Sequence, residues 1–374
     1  MPSSPNQPPS GGHYIPYLDS VRSFAILGVL AVHAGVPGCD AGWLGVDLFF
    51  ALSGFLITTL LLNEWRASSN IALSKFWARR FLRLMPAYYL YALGVTLAIW
   101  YWPGSVVSAH GGWTPREFTV ALWAYFINFA PMGGIWNGQG ATIHLWSLAV
   151  EEQYYIFWPI CLLLTLKYSK YRILISWVLF AAVFTYFVAF ATVEERAGML
   201  YARGFSLFLA SAVAVSLHQC RRENVVHRLL RTQVNSLLGL ALVSTLIVFA
   251  IASLRILTET QMRHFLLPPL VFCYVSSIAG LWYGPVNPAW RLVLSRPVLI
   301  YIGKVSYGIY LYHEVVRIFV WWATGAALIG YSRILVYGVR LMLYVILSVA
   351  VAGVSYRFLE RPFLQLKGRF RPGG

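Results

Sequence analysis

Arg22 and His33 stand eleven residues apart in LDSVRSFAILGVLAVH, residues 18–33. At about 3.6 residues per turn that is close to three turns of helix, so the two side chains share one face. The stretch from Phe24 to Val36 is otherwise almost wholly apolar, and ionisable groups in such a setting are costly enough that function is the first hypothesis. Arginine offers a planar, permanently charged fork for phosphate, and histidine takes or gives a proton near neutral pH. With a rise of about 1.5 Å per residue, one helix face holds them roughly 16 Å apart, room for a long phosphorylated donor with its reactive end at His33. The plainer alternative is that Arg22 snorkels to headgroups and His33 bonds a neighbouring helix.

Four further stretches carry polar groups through apolar sequence. GWLGVDLFFALSGFLI (42–57) holds Asp47 near one edge, where a lone carboxylate needs a partner such as His33 or an arginine, and Ser53 with Gly54, small residues that suit close helix packing. FWARRFLRLMP (76–86) sets Arg79, Arg80 and Arg83 beside one face of the membrane. That is ordinarily a topology signal, but also a clamp for nucleotide phosphate. In HLWSLAVEEQYYIFWPI (144–160), helical spacing connects His144, Ser147, Glu151 and Tyr154, and the adjacent Glu151 and Glu152 point in different directions. YIGKVSYGIYLYHEVVRIF (301–319) carries Lys304, Ser306, Tyr307, Tyr310, His313, Glu314 and Arg317, either a self-satisfied network or a lining for substrate. SYRFLERPF (355–363) places Glu360 between Arg357 and Arg361, a cytoplasmic ion-pair cluster.

The elements that must position these groups are membrane helices. Of 374 residues, 59% are hydrophobic and 11% charged, against about a quarter charged in soluble domains. The expected fold class is an all-α polytopic bundle. Its ten spans fall near 17–36, 43–63, 84–102, 145–166, 173–191, 199–217, 234–254, 265–283, 298–320 and 334–356. The segment 118–129 is too short to span and reads as re-entrant or interfacial. The domains expected are a disordered leader (1–14) without the basic start of a cleavable signal, a membrane domain (15–360) and a basic tail (361–374).

The net charge of +16 comes from cations scattered between apolar runs, which excludes a nucleic-acid reading. With both termini cytoplasmic, nineteen Lys and Arg fall inside and five outside, so the positive-inside rule selects that orientation in the cell (inner or plasma) membrane. Cys39, Cys161, Cys220 and Cys273 show no disulfide or metal-ligand spacing.

Taken in order, these stretches resemble the acyltransferase 3 family of integral-membrane acyltransferases, over nearly the whole chain. The match runs through Arg22 with His33, GVDLFFALSGF, ARRFLRLMP, WSLAVEEQYY, VSYGIYLYH and the terminal LERPF. The resemblance implies a ten-helix core that takes acyl groups from cytoplasmic acyl-CoA, with His33 as the family's essential histidine, Arg22 its paired arginine and Glu151 its motif carboxylate. Some relatives carry a soluble SGNH-type domain after the last helix. This sequence runs about a dozen residues past its ERPF, so hand-off to such a domain would call on a separate envelope partner protein, or acceptance is direct.

The function expected is transfer of an acyl group, acetyl being the family's commonest, from acyl-CoA to a hydroxyl of a sugar, glycoconjugate or glycosylated small molecule. Arg22, Arg79, Arg80 and Arg83 are expected to hold the CoA phosphates. His33 acts as general base or carries the acyl group, oriented by Asp47 or Glu151. Glu151 is placed toward the outer, acceptor-facing half, with Ser147, Tyr154, Tyr307 and His313 supporting that side. Acyl-CoA is a co-substrate, and no bound cofactor or metal is expected. The competing classes are a transporter or flippase for an envelope polymer precursor and a noncatalytic membrane partner.

Overall fold

The computed structural model describes residues 14–101, 113–129, 140–142, 144–191, 199–219, 225–328 and 330–370, and every regular element among them is helical. The leader up to residue 13, Cys220 and residues 371–374 lie outside the described residues. The helices of eight residues or more are α1 (Pro16–His33), α2 (Leu44–Ser68), α3 (Leu73–Tyr101), α4 (Pro115–Trp123), α5 (Leu145–Tyr168), α6 (Arg172–Phe190), α7 (Phe205–Gln219), α8 (Val225–Ser253), α9 (Glu259–Tyr283), α10 (Pro297–Lys304), α11 (Ser306–Ala327) and α12 (Arg333–Ser355).

The helix α2 is the centre of the bundle. Its most apolar window is 72% buried within the protein, against 17% for α8 and 11% for α6, whose apolar surfaces are left for lipid. One side of α2 joins a core with α3, α5 and α11, and the other a core with α7 and α9. Gly54 makes the second contact close, since a Cβ there would overlap the Leu207 carbonyl of α7. The small-residue reading of Gly54 therefore stands, whereas Ser53 turns its hydroxyl to Glu151.

Length and composition support six membrane-crossing helices: α2, α3, α6, α8, α9 and the one beginning at Ile334. The remaining expected spans fall on α1, α5, α7 and the α10–α11 pair. α7 is apolar but only fifteen residues long. α1, α5 and α11 carry Arg22, Glu151 and Glu314, and those polar groups lower the hydropathy of the helices that bear them.

Several boundaries differ from expectation: the helices expected at 234–254 and 265–283 start at Val225 and Glu259, and that expected at 199–217 breaks after Arg203. The helix expected at 84–102 starts at Leu73, because arginine is a good helix former and FWARRFLRL continues the helix back through the charged stretch. The span expected at 298–320 breaks after Lys304. The break adjoins Gly303, which touches the Asp19 carbonyl of α1 where any Cβ would overlap. The segment judged too short to span forms the nine-residue α4, opened by a capping box between Thr114 and Glu117. Those Thr114 bonds hold the Glu117 carboxyl below the usual carboxylate range. α4 packs on α3, where the Tyr88 hydroxyl donates to the Leu122 carbonyl at 2.7 Å.

Candidate active site

Two cavities lie on either side of a shared wall formed by Val46 of α2 and Tyr310 of α11. The first, of about 260 Å³, is lined by Asp19 and Arg22 of α1, Ser53 of α2, Arg80 and Arg83 of α3, Ser147 and Glu151 of α5, and Tyr307 of α11. The second, of about 210 Å³, is lined by His33, Asp40, Trp43, His144, Arg203, Glu259 and Arg263. The 3.6-residue period thus sends Ser147 and Glu151 of α5 to one cavity, while His144 at its N-cap reaches the other.

In the first cavity, Arg22 donates to Asp19 at 2.6 Å. Arg80 lies over the rings of Phe76 and Tyr155, 5.6 and 5.4 Å from their centroids. Glu151 accepts from the Ser53 hydroxyl at 2.5 Å, and Tyr155 donates to the same Ser53 oxygen at 3.2 Å. Arg79 is not among the lining residues: it donates to Glu64 at 3.0 Å and to the Phe370 carbonyl at 2.6 Å, pinning the C-terminal segment to α3. Glu151, expected toward the acceptor-facing half, shares the cavity of the arginines and not that of His33. A helix that puts Ser147 four residues before Glu151 on the arginine-lined wall leaves Glu151 in the cavity of Arg22, Arg80 and Arg83.

His33 Nδ1 lies 2.8 Å from the Val29 carbonyl. A carbonyl oxygen only accepts, so Nδ1 carries a proton, and in the neutral ring Nε2 is the nitrogen left free. His313 repeats the arrangement, with Nδ1 2.6 Å from the Tyr310 carbonyl. Both Nε2 atoms then face Glu314 Oε1, each at 3.6 Å, while Arg317 holds Glu314 Oε2 with bonds of 3.0 and 2.8 Å. His33 is half-buried and open to the second cavity; His313 and Glu314 are fully buried. One donor atom from each of His33, His313 and Glu314 lies within 4.8 Å of the others, a spacing also open to a divalent cation.

The carboxylate beside His33 is therefore Glu314, not Asp47 or Glu151. Asp47 is fully buried and accepts from Arg203, which ends the short helix Leu200–Arg203 just before α7, at 2.6 Å and from Ser206 of α7 at 3.3 Å, a pairing that accounts for its charge. Of the supporting residues, Ser147 bonds the Tyr310 hydroxyl, which also donates to the His144 carbonyl at 3.0 Å. Tyr307 donates to the Leu84 carbonyl at 2.7 Å within the first cavity. Tyr154 faces away from both cavities and bonds Ser211 at 2.5 Å. Glu314 was visible in sequence as an intramembrane carboxylate three residues before Arg317, whereas Arg203 and Arg263 gave no local signal.

The chain as a whole also matches known proteins. A family model described as an acyltransferase domain covers residues 15–357. The chain belongs to the acyltransferase 3 family. It is 29% identical over 365 residues to "Peptidoglycan O-acetyltransferase OatA" of Listeria monocytogenes, covering 93% of this chain and 56% of that protein. A "Putative O-acetyltransferase" of Staphylococcus aureus strain COL is 30% identical over 368 residues, covering 94% of this chain and 57% of its own length. "Putative peptidoglycan O-acetyltransferase YrhL" of Bacillus subtilis is 29% identical, covering 93% and 55%. The chain thus spans little more than half the length of the curated relatives it matches. No solved structure matches.

Proposed function

We propose that this chain is a membrane O-acyltransferase. It moves an acyl group, most simply acetyl, from acyl-CoA to a hydroxyl of a sugar, glycoconjugate or glycosylated small molecule. The observation that carries this reading is the pair of cavities meeting at Val46 and Tyr310, with arginines lining one and His33 lining the other. The names of the O-acetyltransferase relatives agree with it.

In this reading ten segments cross the cell membrane, both termini are cytoplasmic, and acyl-CoA enters at the Arg22 end. Arg22, Arg80 and Arg83 hold its phosphates by charge-assisted hydrogen bonds. Glu151, with Ser53 and Tyr155, keeps this polar floor in order. The thioester passes between Val46 and Tyr310 toward His33. The acceptor hydroxyl gives its proton to His33 Nε2 as its oxygen attacks the thioester carbonyl. Collapse of the tetrahedral intermediate breaks the C–S bond, and the departing sulfur takes the proton from the imidazolium, leaving an ester and free CoA. Glu314, anchored by Arg317, steadies the imidazolium between these steps.

Purified protein in lipid nanodiscs tests the reading against transport. CoA release that depends on an added acceptor supports it, while movement of a substrate across vesicles with the thioester intact supports a flippase.

A further inference from the structure

Three lone-pair atoms converge where α1 meets α11. His33 and His313 each place Nδ1 against a backbone carbonyl, at 2.8 and 2.6 Å, which leaves Nε2 of each neutral ring as an acceptor. Both Nε2 atoms face Glu314 Oε1 at 3.6 Å, too far for a hydrogen bond. His313 Nε2 and Glu314 Oε1 are buried and have no hydrogen-bond partner among the described residues, and native proteins leave few such atoms unsatisfied. The rings of His33 and His313 stand nearly perpendicular, at 81° with centroids 4.9 Å apart. A single proton satisfies one Nε2–Oε1 pair at a time, whereas a divalent ion serves all three atoms at once.

Distance and donor chemistry choose the ion. Zinc bonds imidazole nitrogen and carboxylate oxygen at about 2.0–2.2 Å, so its tetrahedral ligand atoms stand about 3.4 Å apart. The two Nε2–Oε1 separations of 3.6 Å are close to that edge, and all three atoms lie within 4.8 Å of one another, so small rotations of the rings close the set. Two histidines and one glutamate are a ligand set found in zinc sites that keep one position open. The outer shell fits as well. Ligand histidines commonly give their second N–H to a carbonyl, as both do here, and ligand carboxylates are themselves hydrogen-bonded, as Glu314 Oε2 is by Arg317. Because Arg317 balances the charge of Glu314, the ion is held by lone pairs and not by excess negative charge. That selects zinc over magnesium or calcium, which take oxygen ligands. The way in is His33, whose side chain is 29% exposed and lines the second cavity, whereas His313 and Glu314 are enclosed.

We propose that His33, His313 and Glu314 form an inhibitory zinc site. The ion takes the Nε2 lone pair of His33, the same pair that receives the acceptor's proton in the mechanism above, so transfer stops while zinc is bound and resumes when it leaves. The inhibition rests on that reading of His33, whereas the site itself rests on the three converging atoms.

The test begins with binding, which needs no turnover. Untagged full chain in nanodiscs, stripped with a chelator and dialysed free of it, is titrated with zinc chloride and, for comparison, magnesium chloride. One zinc ion per chain should bind, at least about 100-fold more tightly than magnesium. His33→Ala and His313→Gln should each weaken zinc by at least about 100-fold, since losing even an outer-shell partner of a ligand costs about 10- to 100-fold. Melting curves check that each variant is folded. Cobalt chloride, titrated in place of zinc, should give the visible absorption of imidazole and carboxylate coordination in the unmodified chain, a readout that needs no variant. No zinc bound by the unmodified chain, no preference over magnesium, no cobalt absorption, or undiminished zinc affinity in both variants overturns the site. CoA release on the same preparation should run in chelator, fall in proportion to the zinc-occupied fraction and return when chelator is added back. Zinc bound at these residues with CoA release undiminished overturns the inhibition, and with it His33 as the proton acceptor, while the site stands.

Discussion

His33 and Glu314 face each other across α1 and α11, with Nε2 and Oε1 3.6 Å apart, although 281 residues separate them in sequence. Glu314 does not touch the acceptor in the proposed mechanism and works through the imidazole as a positioning residue. Glu314→Gln should lower kcat by about 100-fold, at the low end of what general acid–base assistance supplies. The acceptor KM and donor affinity should stay near normal. Turnover should also persist in a chelator, since His33, His313 and Glu314 handle a proton in this account. A chelator-sensitive rate restored by a divalent cation would assign the three residues to a catalytic metal instead.

The arginines should separate by location. Arg22→Lys and Arg83→Gln should each weaken binding of an acetyl-CoA analogue by roughly 10- to 100-fold, the loss of one charge-assisted contact worth about 1.5–3 kcal/mol. Arg79→Gln should leave that affinity nearly intact and instead lower thermal stability, because it releases Glu64 and the Phe370 carbonyl. Calorimetry and melting curves on the same preparations make the comparison.

Much of this site was legible in the sequence because membrane helices display polar residues against an apolar background. Arg22 and His33 stood out by spacing, Glu151 by the family resemblance, and Arg80 and Arg83 only as part of a cluster with Arg79; these five line one cavity or the other. Pairing was not legible. Asp47, Glu151 and Glu314 are each an intramembrane carboxylate, and which of them meets His33 depends on how α2, α5 and α11 rotate against α1. That rotation is set by contacts such as Gly303 on Asp19 and Gly54 on Leu207, far apart in sequence. Arg79 illustrates the same limit, since its neighbours in ARRFLRLMP reach the cavity while it turns to Glu64.

Asp47 should prove structural. Asp47→Asn leaves the buried Arg203 guanidinium without its counter-charge, a change that costs about 3–5 kcal/mol when a buried pair is broken. The variant should accumulate poorly and melt early. Combining Asp47→Leu with Arg203→Met should restore much of the stability, because replacing both charges by apolar groups of similar size removes the orphaned cation. Failure of the double variant to recover would assign Asp47 a further role.

The wall between the cavities should act as a gate for chemistry and not for binding. Val46→Trp fills the space on one side of the Tyr310 ring, so donor analogue affinity should persist while CoA release falls by at least about 100-fold, as expected when reacting groups are held out of register. Equal loss of donor binding would mean that the wall belongs to the donor cavity alone.

CoA release by purified His33→Ala protein is the most direct test of the central claim. The account predicts that acceptor-dependent release is abolished while the protein still inserts, melts near the unmodified chain and binds the acetyl-CoA analogue with unchanged affinity. Near-normal acceptor-dependent release from that variant would contradict it.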